Sequence, residues 1–140
     1  MAVRTLEGTG VGDTIEPRTI AVGRDTLVAY AAASGDQNPI HQDEQFARSV
    51  GLPDVIAHGM WTMGAVGSVV EEWAGDGGRV VEFGTRFTKP VVVPQDGGAI
   101  EVGGVVKAVD EQTRRATVEL TATSEGDKVL GRCLAVVQLD

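Results

Sequence analysis

The chain has little cysteine, little histidine, little positive charge and no long uncharged segment. Cys133 is the single cysteine in 140 residues. One thiol excludes a disulfide framework within the chain and a zinc site built from several cysteines. Lys and Arg total 12 against 20 Asp and Glu, a formal net charge of −8. An acidic chain is a poor partner for a phosphate backbone by bulk charge, so nucleic acid is not an expected ligand. The longest stretch without Asp, Glu, Lys or Arg is 55–70. It falls short of the ~20 apolar residues needed to cross a bilayer. The opening Met-Ala-Val-Arg-Thr-Leu-Glu-Gly holds no apolar core of signal-peptide length. These absences predict a reduced, cytoplasmic, soluble protein with no membrane partner.

What is present suits one globular unit. The chain is 42% hydrophobic and 23% charged, which argues against long disorder. Its length fits one domain, 1–140, at the usual ~100–200 residues each. No internal repeat or low-complexity tract is visible. Glycines cluster at turns such as Asp76-Gly77-Gly78, Asp96-Gly97-Gly98 and Glu125-Gly126-Asp127.

The two halves differ in period. Residues 25–33 suit a short helix and 43–50 a second one. Between them, 34–42 reads as a loop containing the turn signal Asn38-Pro39. Residues 59–74 are apolar nearly all round, which predicts a buried helix. Gly59, Gly64 and Gly67 cost helix propensity there and make sense if another element packs very close. The second half reads as strands. Ala116, Val118, Leu120 and Ala122 alternate with polar residues. Residues 80–87 alternate on a Val81, Phe83, Phe87 face. Residues 100–109 and 129–139 are apolar on both faces, and 14–22 suits a further strand. The sum is an α+β chain, an antiparallel sheet wrapped around one helix.

Chemistry gathers in Ser34-Gly35-Asp36-Gln37-Asn38-Pro39-Ile40-His41. A carboxylate, an amide and an imidazole share one stiffened loop. The only other histidine, His58, opens the buried helix in Ala57-His58-Gly59-Met60. An imidazole trades protons near neutral pH, and a carboxylate beside it can hold a water. The free N–H groups of a helix start can meet an oxyanion, and Gly59 carries no side chain to block approach. Each residue also has a plain structural reading. Ser-Gly-Asp makes turns with Asp36 bonding its own backbone, and His41 and His58 can be satisfied polar residues. Asp36, His41, Asp43 and His58 lack any known metal-ligand spacing, so no metal and no cofactor is expected. Ser34 lacks the Gly-x-Ser-x-Gly elbow of a nucleophile. Cys133 lies in a strand pattern and reads as a small core residue.

The string Tyr30-x-x-x-Ser34-Gly35-Asp36-x-Asn38-Pro39-Ile40-His41 resembles the signature of the MaoC-like, (R)-specific enoyl-thioester hydratases and dehydratases. The likeness continues through Asp43, Ala47, Gly51, Ala57-His58-Gly59-Met60 and Phe87-Thr88-x-Pro90-Val91, over nearly the whole chain. Within that family the chain is particularly similar to the catalytic subunits of actinobacterial (3R)-hydroxyacyl-ACP dehydratases. The resemblance implies a hot-dog fold, a long central helix inside an antiparallel sheet. It also implies pairing as a homodimer, or a heterodimer with a second hot-dog subunit. The implied activity is reversible syn hydration of trans-2-enoyl thioesters, carried by CoA or acyl carrier protein. By position, Asp36 and His41 become the catalytic pair and the Gly59 N–H the oxyanion donor. Asn38, Ser34 and His58 become supporting and substrate-positioning residues. Gln42 and Trp61 depart from the family pattern beside the expected acyl tunnel. A non-catalytic acyl-binding subunit and a hot-dog thioesterase are the competing readings, the first disfavoured by Asp36 and His41 both being present. An acidic chain that docks an acidic carrier needs a local basic patch, for which Arg79, Arg86 and Lys89 are candidates.

Overall fold

A computed structural model describes residues 2–140. The order of elements is β1 (Thr14–Val22), α1 (Arg24–Ser34), α2 (Glu44–Ser49), α3 (Gly59–Ala74), β2 (Val80–Phe87), β3 (Gly98–Asp110), β4 (Arg115–Ser124) and β5 (Asp127–Gln138). A 3-10 turn, Pro39–His41, sits between α1 and α2. The strands form one five-stranded sheet in the order β1-β3-β4-β5-β2, antiparallel throughout. The sheet curls around α3, as a hot-dog fold requires.

Alternation explains the burial. Ala116, Val118, Leu120 and Ala122 of β4 are buried, as are Cys133, Ala135 and Val137 of β5 and Ile100, Val102 and Val106 of β3. They join Val66, Val69 and Val70 of α3 in one core. Each such side chain contributes about 1.5–3 kcal/mol on burial. Tight hairpins set the register. The Asp110 carboxylate accepts from the N–H groups of Gln112 (2.9 Å) and Thr113 (3.2 Å). Those backbone bonds hold its carboxyl below the ordinary range. β2 meets β5 with a shift in register between Gly84 and Arg86, where Arg132 takes a φ of 47°. That is a bulge, which bends the edge strand.

Two expectations about α3 need correction. The helix is buried on one side only, because Met60, Gly64, Ser68 and Glu71, spaced as one stripe, are exposed. Hydrophobicity all round does not bury a helix that only one sheet covers. The glycines also divide. A Cβ on Gly59 would stand 3.1 Å from the Phe87 ring, and one on Gly67 3.1 Å from the Phe83 ring. Gly64 faces open space.

Candidate active site

The loop after α1 is tied together by its own polar groups. Gly35 takes the left-handed φ of 82° that ends the helix, its N–H bonded to the Ala31 carbonyl. Ser34 Oγ accepts from the Asp36 N–H (3.1 Å), and Asp36 Oδ1 from the Asn38 N–H (3.2 Å). Asn38 Oδ1 accepts from the Ile40 N–H (3.1 Å) and opens the 3-10 turn at Pro39. Asp43 accepts from the Phe46 N–H and caps α2. The turn-forming reading of these side chains therefore coexists with any chemical one. Only one Asp36 oxygen is spent on the backbone.

The other oxygen faces an imidazole. Asp36 Oδ2 lies 3.9 Å from His41 Nε2, the carboxylate half exposed and the ring buried. His41 Nδ1 is 2.7 Å from the Ile56 carbonyl oxygen. A carbonyl only accepts, so Nδ1 carries the proton, and in the neutral ring Nε2 is bare and turned toward Asp36. The Ile56 carbonyl is itself well held. Ile56 N–H bonds Ile40, Ala57 N–H bonds Val91, and Val93 N–H bonds Val55. Arg24 braces the same segment. Its Nη2 reaches Glu44 (2.8 Å) and Asp54 (3.0 Å), and its Nε donates to the Val93 carbonyl (2.7 Å). The Arg24 hydrogen bond, helped by Gln95, holds the Glu44 carboxyl below its ordinary range.

His58 lies under this pair. Its ring stacks on His41 with centroids 3.7 Å apart and planes at 20°. Its Nε2 donates to the Asp36 carbonyl (3.1 Å), while Nδ1 has no partner among the described residues. Tyr30 packs against its other side at 4.8 Å. Ligand atoms of Asp36, His41 and His58 fall within 4.8 Å of one another. Yet one nitrogen of each imidazole is spent on a carbonyl, and the rings stack face to face. Asp43, spent on its cap, is not in this group.

A cleft of about 350 Å³ opens here, lined by Tyr30, Ser34, Asp36, His58, Gly59, Met60 and Phe87. The Gly59 N–H, at the first position of α3, donates to no group among the described residues. Met60 and Phe87 are more than half exposed. Three lining residues, Tyr30, Met60 and Phe87, escaped the sequence reading as site residues. Tyr30 precedes Ser34 by one helical turn, a spacing that puts both on one face. Phe87 carries no local signal, because its approach to Gly59 depends on the sheet closing over α3. Arg79 is 3.7 Å from Asp140 and is engaged away from the cleft. Cys133 is buried, which pushes its thiol pKa up.

Known proteins share this arrangement of elements. Residues 8–126 match the MaoC like domain. A segment of 69 residues, 49% of the chain, is 45% identical to 3-hydroxyacyl-thioester dehydratase X of Mycobacterium tuberculosis, covering 24% of that protein. The chain thus spans about a quarter of that relative. A solved MaoC-like dehydratase superposes with a TM-score of 0.97 at 40% identity, over 99% of this chain and 43% of that one. The (R)-hydratase of A. caviae involved in PHA biosynthesis superposes with a TM-score of 0.84 at 25% identity, over 96% of this chain and 99% of that one. Sequence match, sheet order and central helix agree, and the chain belongs to the MaoC-like domain family.

Proposed function

We propose that the chain, acting as a single hot-dog unit over 1–140, hydrates trans-2-enoyl thioesters and dehydrates (3R)-3-hydroxyacyl thioesters. The observation that carries this is His41 Nε2 facing Asp36 Oδ2 at 3.9 Å beside the cleft, with Nδ1 of the same ring held 2.7 Å from the Ile56 carbonyl oxygen. The gap is too long for a direct hydrogen bond and suits a water bonded to both at about 2.8 Å. In hydration, His41 Nε2 takes a proton as the water oxygen attacks the β-carbon. The Asp36 carboxylate takes that proton over from His41 and delivers it to the α-carbon on the same face, which leaves both groups as they began. The sum is one water added across the double bond. Negative charge developing on the thioester oxygen meets the Gly59 N–H. Ser34 and Asn38 hold the loop, and His58 supports His41 by stacking.

Pairing with a second hot-dog unit, identical or different, is part of this reading. The exposed stripe of α3 and the exposed Met60 and Phe87 support it. So does a solved relative of which this chain matches under half the length. The test is ultraviolet loss of the conjugated enoyl thioester from crotonyl-CoA. Asp36→Asn is expected to abolish turnover while keeping the wild-type melting temperature, and His41→Ala to abolish turnover with a lowered melting temperature, since it also removes a buried ring and its bond to the Ile56 carbonyl. Release of free thiol with crotonate as the product, and no 3-hydroxyacyl thioester, would replace this reading with a thioesterase.

A further inference from the structure

His58 is 2% exposed, more buried than any other polar side chain among the described residues. A ring that only fills space there could be phenylalanine. The imidazole instead leaves Nδ1 buried with no partner among the described residues, and an unpaired buried nitrogen costs stability. Packing therefore does not account for a histidine at this place. Its other contacts do. Nε2 donates to the Asp36 carbonyl oxygen (3.1 Å), a bond that spans 22 positions in the chain. Among the described residues, every other hydrogen bond made by 34–38 stays within 31–42. His58 is thus the tie that sets the Asp36 loop against the start of α3. The same ring lies on His41 at 3.7 Å, backed by Tyr30 at 4.8 Å. His41 is fixed from two residues earlier. Its Nδ1 meets the Ile56 carbonyl oxygen (2.7 Å), and the Ile56 N–H returns to the Ile40 carbonyl (3.2 Å). Both members of the facing pair therefore hang from one short stretch, 56–58. That stretch is bonded in turn to Val91 through the Ala57 N–H (2.9 Å).

We infer that His58 is a positioning residue that sets the spacing of Asp36 and His41, its N–H holding the Asp36 backbone and its ring face holding the His41 imidazole. The inference rests on the thioester reading above. It explains how two groups on one exposed loop and one buried turn keep a gap of 3.9 Å. A gap sized for one shared water tolerates little movement, and a misplacement of about 1 Å can cost about 10²-fold in rate. The unpaired Nδ1 is the stability given up to have an N–H and a flat ring at one point.

His58→Phe and His58→Gln separate the two contacts. Phenylalanine keeps an aromatic face for His41 and has no N–H for the Asp36 carbonyl. Glutamine carries an amide N–H on a side chain of similar reach and has no ring. Backbone nitrogen relaxation of residues 34–38 reads the tie to Asp36 without any substrate. Order parameters there should fall from about 0.85 toward 0.6 in His58→Phe and stay near wild type in His58→Gln. With crotonyl-CoA, kcat should fall about 10- to 100-fold in both variants while KM stays within about threefold. His58→Phe should melt within a few degrees of wild type, since the unpaired nitrogen leaves together with the bonded one. The wild type supplies a check that needs no variant. The chain has two histidines, and nitrogen spectra of the labelled rings should place a proton on His58 Nε2. A proton on Nδ1 alone overturns the inference, because the bond to Asp36 would not exist. Unchanged order at 34–38 in His58→Phe overturns it whatever the activity. So does an unchanged kcat in an enzyme that turns crotonyl-CoA over. If the wild type turns over no thioester, yet 34–38 loosens in His58→Phe and not in His58→Gln, the positioning stands and the hydratase reading falls.

Discussion

Gly59→Ala separates packing from catalysis at the start of α3. The backbone accepts alanine, since Gly59 is not among the residues with positive φ. The added Cβ would lie 3.1, 3.2 and 3.3 Å from three ring carbons of Phe87. That is tight by a few tenths of an ångström, and Phe87 is 54% exposed, so its ring has room to withdraw. Withdrawal costs about 1 kcal/mol at the low end for overpacking. Alanine offsets this by about 0.4–1 kcal/mol through the lower entropy of the unfolded chain. The melting temperature should therefore change by no more than a few degrees. Activity should change far more. On the proposed reading, the methyl and the displaced ring stand where a thioester oxygen would approach the Gly59 N–H. Removing one oxyanion donor costs about 10²–10³ in rate, and loss of access should cost the same. Thermal melting and kcat/KM with crotonyl-CoA decide the matter. A stable variant within threefold of wild-type kcat/KM would refute the oxyanion role. A collapse in melting temperature would refute the packing estimate.

Other outcomes follow from geometry elsewhere. Arg24→Met removes the brace between Glu44 and Asp54 and should lower the melting temperature at neutral pH. Glu44 has a folded pKa below its ordinary 4.5, so its stabilising share is present above that value and lost as pH falls through the folded pKa. The gap between wild type and variant should therefore narrow in acid, and a gap independent of pH would contradict the pairing. Gly75→Ala forces alanine to a φ of 87° and drives its Cβ into the Ala2 carbonyl oxygen. Urea unfolding should show a loss of at least about 1–2 kcal/mol. The Cys133 thiol, buried and held protonated, should react with a disulfide reagent only as fast as the chain opens. Rapid labelling of the native protein would show the sheet to be looser than its packing indicates.

The sequence alone determined the elements. Residues 14–22, 59–74 and 80–87 read as strand, helix and strand, and the structure starts and ends those elements at the same positions. Each boundary is written locally, as a period of two or 3.6 closed by glycine or a turn. The loop holding Asp36, Asn38 and His41 was equally legible, because its bonds join residues two or three apart. Tertiary structure decided the rest. It left one stripe of α3 open, a fact about how far a five-stranded sheet reaches and not about the helix. It committed Arg79 to Asp140 and Arg24 to a carboxylate pair, contacts no spacing rule encodes. It set His41 Nδ1 against the distant Ile56 carbonyl. It laid Phe87 across Gly59. Periodicity is a property of neighbours along the chain, whereas a site is made by residues that only the closing of the sheet brings together.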